Sequence, residues 1–349
     1  MKPMHYTKVA IDAFGYELPP MVVCSDELEE RLQPLYRSLR FQPGQLEAIT
    51  GIGERRFWEP GFKMSEGATR AGRKALAASG IAAEAIGMLI YAGVCRDNVE
   101  PATACAVCHG LGLHPETQIY DVSNACLGVL NGMVQVANAI ELGQVRAGLV
   151  VSCESAREVV DVTIQRLNET REMDFFKKNV ATLTGGSGAV AVVLADAALS
   201  PGGHRLVGGV SRHAAEFHRL CMWGPDTEKT SSGVHFIETD ALGILNNGVR
   251  LGKETFKSFK KALSWGAEAP DKIVCHQVGA AHQRNILTAI GVPASRDFTT
   301  FGFLGNIGSV SLPITAAIAA EREFLTAGDR VGFLGIGSGL NCLMLGIEW

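Results

Sequence analysis

Ile119-Tyr120-Asp121-Val122-Ser123-Asn124-Ala125-Cys126-Leu127-Gly128 is the stretch where one kind of local order gives way to another. Residues 119–122 form a short apolar run of the kind that makes a buried strand, and Ser123-Asn124-Ala125 has the composition of a turn. From 127 to 142 the chain is apolar nearly all round, broken by a narrow polar stripe of Asn131, Gln135 and Asn138, and Gly143 stands where such a helix ends. A helix with no polar face belongs in the middle of a molecule, because any face turned to water would be wasted. The stretch predicts strand, tight turn and central helix, with Cys126 opening that helix.

The same order recurs on either side. Residues 88–92, 148–153 and 189–194 are short continuous apolar runs, the last following Gly185-Gly186-Ser187-Gly188. Runs of this length fit a sheet buried on both faces. Leu28, Leu32, Leu35 and Leu39 share one face of a predicted helix. In the second half, 272–275, 298–301, 331–336 and 342–347 read as strands, and 280–290 and 309–325 as helices. Met88 precedes Lys272 by 184 residues, Asn124 precedes Asn306 by 182, and Gly148 precedes Gly332 by 184. Asn124-Ala125-Cys126 thereby stands opposite Asn306-Ile307-Gly308. Agreement at separate anchors predicts an internal duplication. We expect an α/β protein of two halves, residues 1–200 and 201–349, meeting near Ser200-Pro201-Gly202-Gly203 and stacked as α/β/α/β/α layers.

Bulk composition narrows the function. With 349 residues, 47% hydrophobic and 19% charged, the chain can build a large core and is not disordered. A net charge of −4 without a basic stripe excludes a nucleic-acid surface. The pairs Arg55-Arg56, Lys177-Lys178 and Lys260-Lys261 read as solvated surface, or as a landing place for a phosphate-bearing carrier, coenzyme A or acyl carrier protein. Nine cysteines without framework spacing indicate reduced thiols and a cytoplasmic location. The sequence shows no apolar leader and no run near the roughly 18 apolar residues of a membrane span.

Three side chains could carry chemistry. A free cysteine is commonly a small core residue, but Cys126 sits between a strand and a helix start, where free N–H groups favour a thiolate. His276 follows directly on the strand 272–275, at the sheet edge where ligands of α/β proteins gather. Asn306 lies among the glycines of Gly302-Phe303-Leu304-Gly305-Asn306-Ile307-Gly308, and a carboxamide can donate to a carbonyl oxygen without changing charge. Singly, the last two are ordinary core and turn residues. The repeat makes them a set, since it brings Asn306 beside the position equivalent to Cys126.

Asp121-Val122-Ser123-Asn124-Ala125-Cys126-Leu127-Gly128, His276-Gln277-Val278, Gly305-Asn306-Ile307-Gly308 and Gly335-Ile336-Gly337-Ser338-Gly339-Leu340-Asn341 together resemble the thiolase superfamily, and within it the ketoacyl synthase III-like enzymes. Arg96-Asp97-Asn98-Val99-Glu100-Pro101-Ala102-Thr103, Asn131-Gly132-Met133 and the closing Gly-Ile-Gly-Ser-Gly-Leu-Asn-Cys run are similar to the OleA-type enzymes, which join two fatty acyl-CoA molecules head to head. The resemblance implies the thiolase fold, an acyltransferase working through an acyl-Cys126 intermediate, and His276 and Asn306 holding the second thioester as it becomes an enolate. It implies backbone N–H groups of Cys126 and Ser338 as the oxyanion hole. It also implies a homodimer in which Glu100 enters the partner's site as a base, and coenzyme A thioesters as substrates with no further cofactor. The chain departs from that pattern at Phe303-Leu304, where a Glu-His pair is expected, and at Gly279, where a serine often stands.

Two other readings stay open: a decarboxylating ketoacyl synthase III using malonyl carrier protein, and a non-catalytic subunit that lends Glu100 to another chain. Decarboxylation needs no base, which makes Glu100 the discriminating residue. Cys105-Ala106-Val107-Cys108-His109 spells a haem-attachment motif, but it falls in a predicted buried helix of a chain without an export signal, and its two cysteines lack a second pair for zinc. Gly335-Ile336-Gly337-Ser338-Gly339 lies too near the end of the sequence for a dinucleotide fold. No metal is expected, and His282 reads as structural.

Overall fold

The computed structural model describes residues 3–225 and 235–349; Lys2, in the polar start of the sequence, lies outside them. In chain order its strands are β1 (Met4–His5), β2 (Val9–Glu17), β3 (Met21–Cys24), β4 (Glu54–Phe57), β5 (Met88–Tyr91), β6 (Gln118–Asp121), β7 (Ala147–Glu154), β8 (Gly188–Asp196), β9 (His204–His213), β10 (Cys221–Pro225), β11 (His235–Thr239), β12 (Lys272–Cys275), β13 (Arg330–Gly337) and β14 (Asn341–Glu348). Ten of them run in the order β12-β13-β14-β9-β2-β8-β7-β5-β6, with β1 on β9. β3–β4 and β10–β11 are separate antiparallel pairs.

The duplication is visible in strand sense. β5 is parallel to both β6 and β7, whereas β7–β8 and β8–β2 are antiparallel. β12 is likewise parallel to β13, and β13–β14 and β14–β9 are antiparallel. The half-sheets are joined by β2 on β9, through Ala10 with Arg205 and Ile11 with His204, and by β1 on β9, through Met4 with Gly209 and His5 with Gly208.

Between the half-sheets lie two helices, Gly128–Glu141 and Ser311–Glu321. Every residue from 311 to 319 is buried, Ser311 and Thr315 included, as a central helix requires. Leu130, Met133 and Val136 of the first helix share one core with Ile314 and Ile318 of the second, Val192 of β8 and Phe333 of β13. Contact with the sheet is close: a Cβ on Gly132 would stand 2.7 Å from Val150 Cγ1, and one on Gly148 2.5 Å from Val136 Cγ1. The helix Met64–Ser79 covers one outer face through Ala68, Ala71 and Ala75. Ala241–Ala262 and Ala280–Ile290 cover the other through Leu251, Phe259 and Leu287. Truncating fully buried Phe259 to alanine costs about 3–5 kcal/mol. The order is helix, sheet, helix, sheet, helix.

Four local expectations change. Residues 298–301 are not a strand: Gln277 Oε1 accepts from Thr300 N (2.8 Å) and Phe301 N (3.1 Å), which removes those donors from the ladder, and the chain turns into the short helix Phe301–Leu304. One bridge, Ile273 to Asp297, remains beside the place where that strand was expected. The leucine face of 28–39 is buried at Leu28, Leu32 and Leu35 but spans two helices, Ser25–Arg31 and Gln33–Leu39, since Pro34 opens the second. Residues 308–310 form a 3₁₀ turn ahead of the helix Ser311–Glu321. β6, finally, is an edge strand, partly exposed along its length.

Candidate active site

The turn before the first central helix is sharp because Ala125 adopts φ 46°, a region side-chain-bearing residues seldom enter. Leu127 caps the helix and Gly128 begins it, so Cys126 precedes the helix rather than opening it. A Cβ on Gly128 would come 2.5 Å from Ala92 O, so glycine lets the helix start rest on the end of β5. Asn341 Nδ2 donates to Asn124 Oδ1 (3.2 Å), and Asn124 Nδ2 to Asn131 Oδ1 (2.8 Å), tying the turn to both halves. A Cβ on Gly337 would lie 3.4 Å from Cys126 N, which places the end of β13 against the Cys126 backbone. Asn341 Nδ2 also reaches Ser338 O at 3.3 Å.

The thiol does not behave as the helix start predicted. Burial, with smaller contributions from Cys221 and Glu154, pushes Cys126 up to about 12. Cys126 is half-buried, and that loss of hydration outweighs a helix end that begins two residues later. Cys126 rests as a neutral thiol.

His276 continues β12, its N–H donating to Leu334 O at 3.0 Å. The ring is buried, and burial followed by neighbouring His282 pushes it down to about 3, so the imidazole is neutral at physiological pH. His276 and His282 line one pocket with Ile286 and Gly335. Gln277 locks this corner, donating to Cys275 O (2.7 Å) while holding the 300–301 backbone. Gly279 leaves no room for the expected serine, because a Cβ there would stand 2.8 Å from Thr50 O.

Asn306 is held by its own backbone, N–H to Thr184 O (2.9 Å) and carbonyl from Gly186 N (2.9 Å). Its side-chain oxygen accepts from Gly308 N at 3.1 Å, which turns the NH₂ end outward as a donor. Ser309, three residues on, would meet a Gly128 Cβ at 3.6 Å, so the two central helix starts abut. Leu304 is buried and Phe303 lies beneath the Arg322 guanidinium (5.4 Å), so the residues replacing the Glu-His pair serve packing.

Glu100 stands apart. Residues 98–101 are all exposed, and Val99 is fully so. Carboxylates fasten both ends of this arm: Asp97 accepts from Met64 N (2.6 Å) and Ser65 N (3.2 Å), and Asp121 from Thr103 N and Ala104 N (both 2.9 Å). Each caps a helix start. The helix Thr103–Leu111 that follows is not buried as predicted, since Cys105 and His109 face out.

Sequence reading missed or misplaced two charged residues. Arg55 is neither surface nor carrier landing place: it is fully buried, its guanidinium donates to Ser25 Oγ (3.0 Å) and Leu183 O (3.4 Å), and burial pushes it down to about 10. Glu154, the last residue of β7, is a buried carboxylate that accepts from Val94 N, Cys95 N and Ser309 Oγ. An apolar run ending in Ser-Cys-Glu gave no signal for it beyond the strand-end position. Among the described residues, no cluster of three or more His, Cys, Asp or Glu side chains could hold a metal, and no helix is long and apolar enough to cross a membrane.

Known proteins share this fold. The family model for 3-oxoacyl-[acyl-carrier-protein (ACP)] synthase III matches residues 120–208, and that for its C-terminal part matches residues 261–349. The acyl-CoA:acyl-CoA alkyltransferase of Shewanella oneidensis is 50% identical over 99% of this chain and all of that protein. Its namesake from Xanthomonas campestris is 37% identical over 99% of this chain and all of that protein. Crystal structures of Xanthomonas campestris OleA superpose with TM-scores of 0.93 and 0.92 at 36% identity, the first covering 99% of this chain and 98% of that one, the second 99% and 100%. The latter holds lauric acid and lauroyl-CoA. With the five-layer duplicated fold and the Cys126 turn, these likenesses show that the chain belongs to the OleA-type acyl-CoA:acyl-CoA alkyltransferases, acyltransferases of the thiolase superfamily.

Proposed function

We propose that this chain is a homodimeric acyltransferase that joins two fatty acyl-CoA molecules by Claisen condensation. Cys126 attacks the first thioester; the bond to coenzyme A breaks, and the proton given up by Cys126 leaves on the departing coenzyme A thiol. The N–H groups of Cys126 and Ser338 hold the oxyanion. The second acyl-CoA loses an α-proton to the Glu100 carboxylate, with His276 and the outward NH₂ of Asn306 stabilising the enolate. The enolate carbon attacks the acyl-Cys126 carbonyl, the thioester bond to Cys126 breaks, and the Glu100 proton returns to the sulfur. One β-keto acyl-CoA and one coenzyme A result from two substrates.

The observation that carries this reading is the seating of the Cys126 amide against Gly337, the residue before Ser338, in a chain whose relative binds lauroyl-CoA. The exposed arm of residues 98–101, pinned at both ends, supports Glu100 acting outside its own protomer and hence a dimer. Nine free cysteines support a reducing, cytoplasmic setting. The matching strand senses support two halves, 1–200 and 201–349, with the division in the turn between β8 and β9. The test supplies myristoyl-CoA alone. A β-keto product with equimolar free coenzyme A is expected. Strict dependence on malonyl carrier protein, the reaction of the 3-oxoacyl-[acyl-carrier-protein] synthases, would overturn it.

A further inference from the structure

Glu154 is 4% exposed, and among the described residues no lysine or arginine pairs with it. A carboxylate buried without a cation is costly unless its oxygens are fully engaged. Oε1 accepts from Val94 N (3.0 Å) and from the Ser309 hydroxyl (2.6 Å), and Oε2 accepts from Cys95 N (3.0 Å). The Ser309 hydroxyl lies 3.0 Å from that of Ser152, on the same strand as Glu154. A Cβ on Gly308 would stand 3.5 Å from Glu154 Cγ, so the Asn306 turn rests on this side chain as well as bonding to it.

The donors come from two loops with different duties. Val94 and Cys95 form the root of the arm whose tip is Glu100, and Ser309 lies three residues after Asn306. We propose that Glu154 is a positioning residue that couples the two active sites of the dimer: it fixes Asn306 in its own site and, through the arm root, aims Glu100 into the partner's. This rests on Glu100 acting in the partner site, as proposed above. A carboxylate suits the task because it only accepts. A carboxamide would turn an NH₂ toward at least one of the converging donors, and the loop making that contact would shift. Displacement of a reacting group by about 1 Å costs up to about 10²-fold in rate.

The test uses mixed dimers purified through two different tags. One chain is unmodified; the other carries Cys126→Ala, so only the unmodified chain's site turns over, using the Glu100 of its partner. Adding Glu100→Gln to the Cys126→Ala chain should lower activity by about 10²-fold or more. Adding Glu154→Gln there should lower kcat about tenfold with KM unchanged. If Glu100→Gln has no effect, the partner-site reading is wrong and the coupling falls with it. If Glu100→Gln is damaging and Glu154→Gln costs less than about twofold, the partner-site reading stands and the coupling is wrong. Ser309→Ala gives an independent arm should Glu154→Gln not fold. It cuts only the tie on the Asn306 side, so in a homodimer it should cost about tenfold, and in the Cys126→Ala chain of the mixed dimer less than about twofold. Equal losses in the two settings would overturn the proposal.

Discussion

Two turns occupy equivalent places in the two halves, and only one carries a cysteine. The first reaches its helix through Ala125 at φ 46° and presents Cys126; the second runs through Asn306 and Ile307 to Gly308 at φ 61°. Where the first turn places a sulfur, the second has no side chain, and Glu154 of β7 occupies the neighbouring space. Duplication supplies the geometry twice. The proposed chemistry needs it to be unequal: one turn would hold the electrophile covalently, while the other would give an amide donor and rests on a buried carboxylate.

The strongest way to break this comparison is Cys126→Ala. It should reduce condensation by about 10³-fold or more with unfolding behaviour unchanged, measured as coenzyme A release and a thermal melt. Residual turnover near the parent rate would mean the sulfur is not the acyl carrier. Glu100→Gln should slow condensation by about 10²–10⁴-fold while the acyl-enzyme still forms, because only the carbanion step needs the base. A parent-like rate there would mean that Glu100 is not the base.

A pH experiment sharpens the contrast. With Cys126 raised to about 12, thiolate is a minority form throughout the ordinary range, so iodoacetamide labelling of Cys126 should climb about tenfold per pH unit from about 7 to 10. A plateau starting near pH 7 would contradict the raised thiol. His276, lowered to about 3, stays neutral from about pH 5 upward, and the pH–rate profile should show no limb near 6.5 from it. The smallest effect separates the turns themselves. Ala125→Gly should leave stability unchanged or raise it by up to about 1 kcal/mol, whereas Gly308→Ala should lower it by about 1–2 kcal/mol in urea unfolding. Equal shifts would mean the two turns carry no different backbone demand.

Much of this was legible from residues. The largely apolar run after Cys126, the matched spacing of the halves and the strand-end His276 are periodic or positional signals, and they survive folding because burial enforces them. What failed depends on side chains reaching across sequence. Nothing near residues 298–301 announces that Gln277 will take their N–H groups. Arg55 reads as surface because charge is usually solvated, yet its partners Ser25 and Leu183 lie far away in sequence. Glu154 is legible only once Val94, Cys95 and Ser309 are seen to converge on it.

The most direct measurement is the intact mass of the protein quenched shortly after mixing with myristoyl-CoA, with peptide mapping of the adduct. The account predicts one myristoyl group per chain, on Cys126, accumulating in Glu100→Gln and absent from Cys126→Ala. An adduct on another cysteine, or product formed with no adduct in any variant, would contradict it.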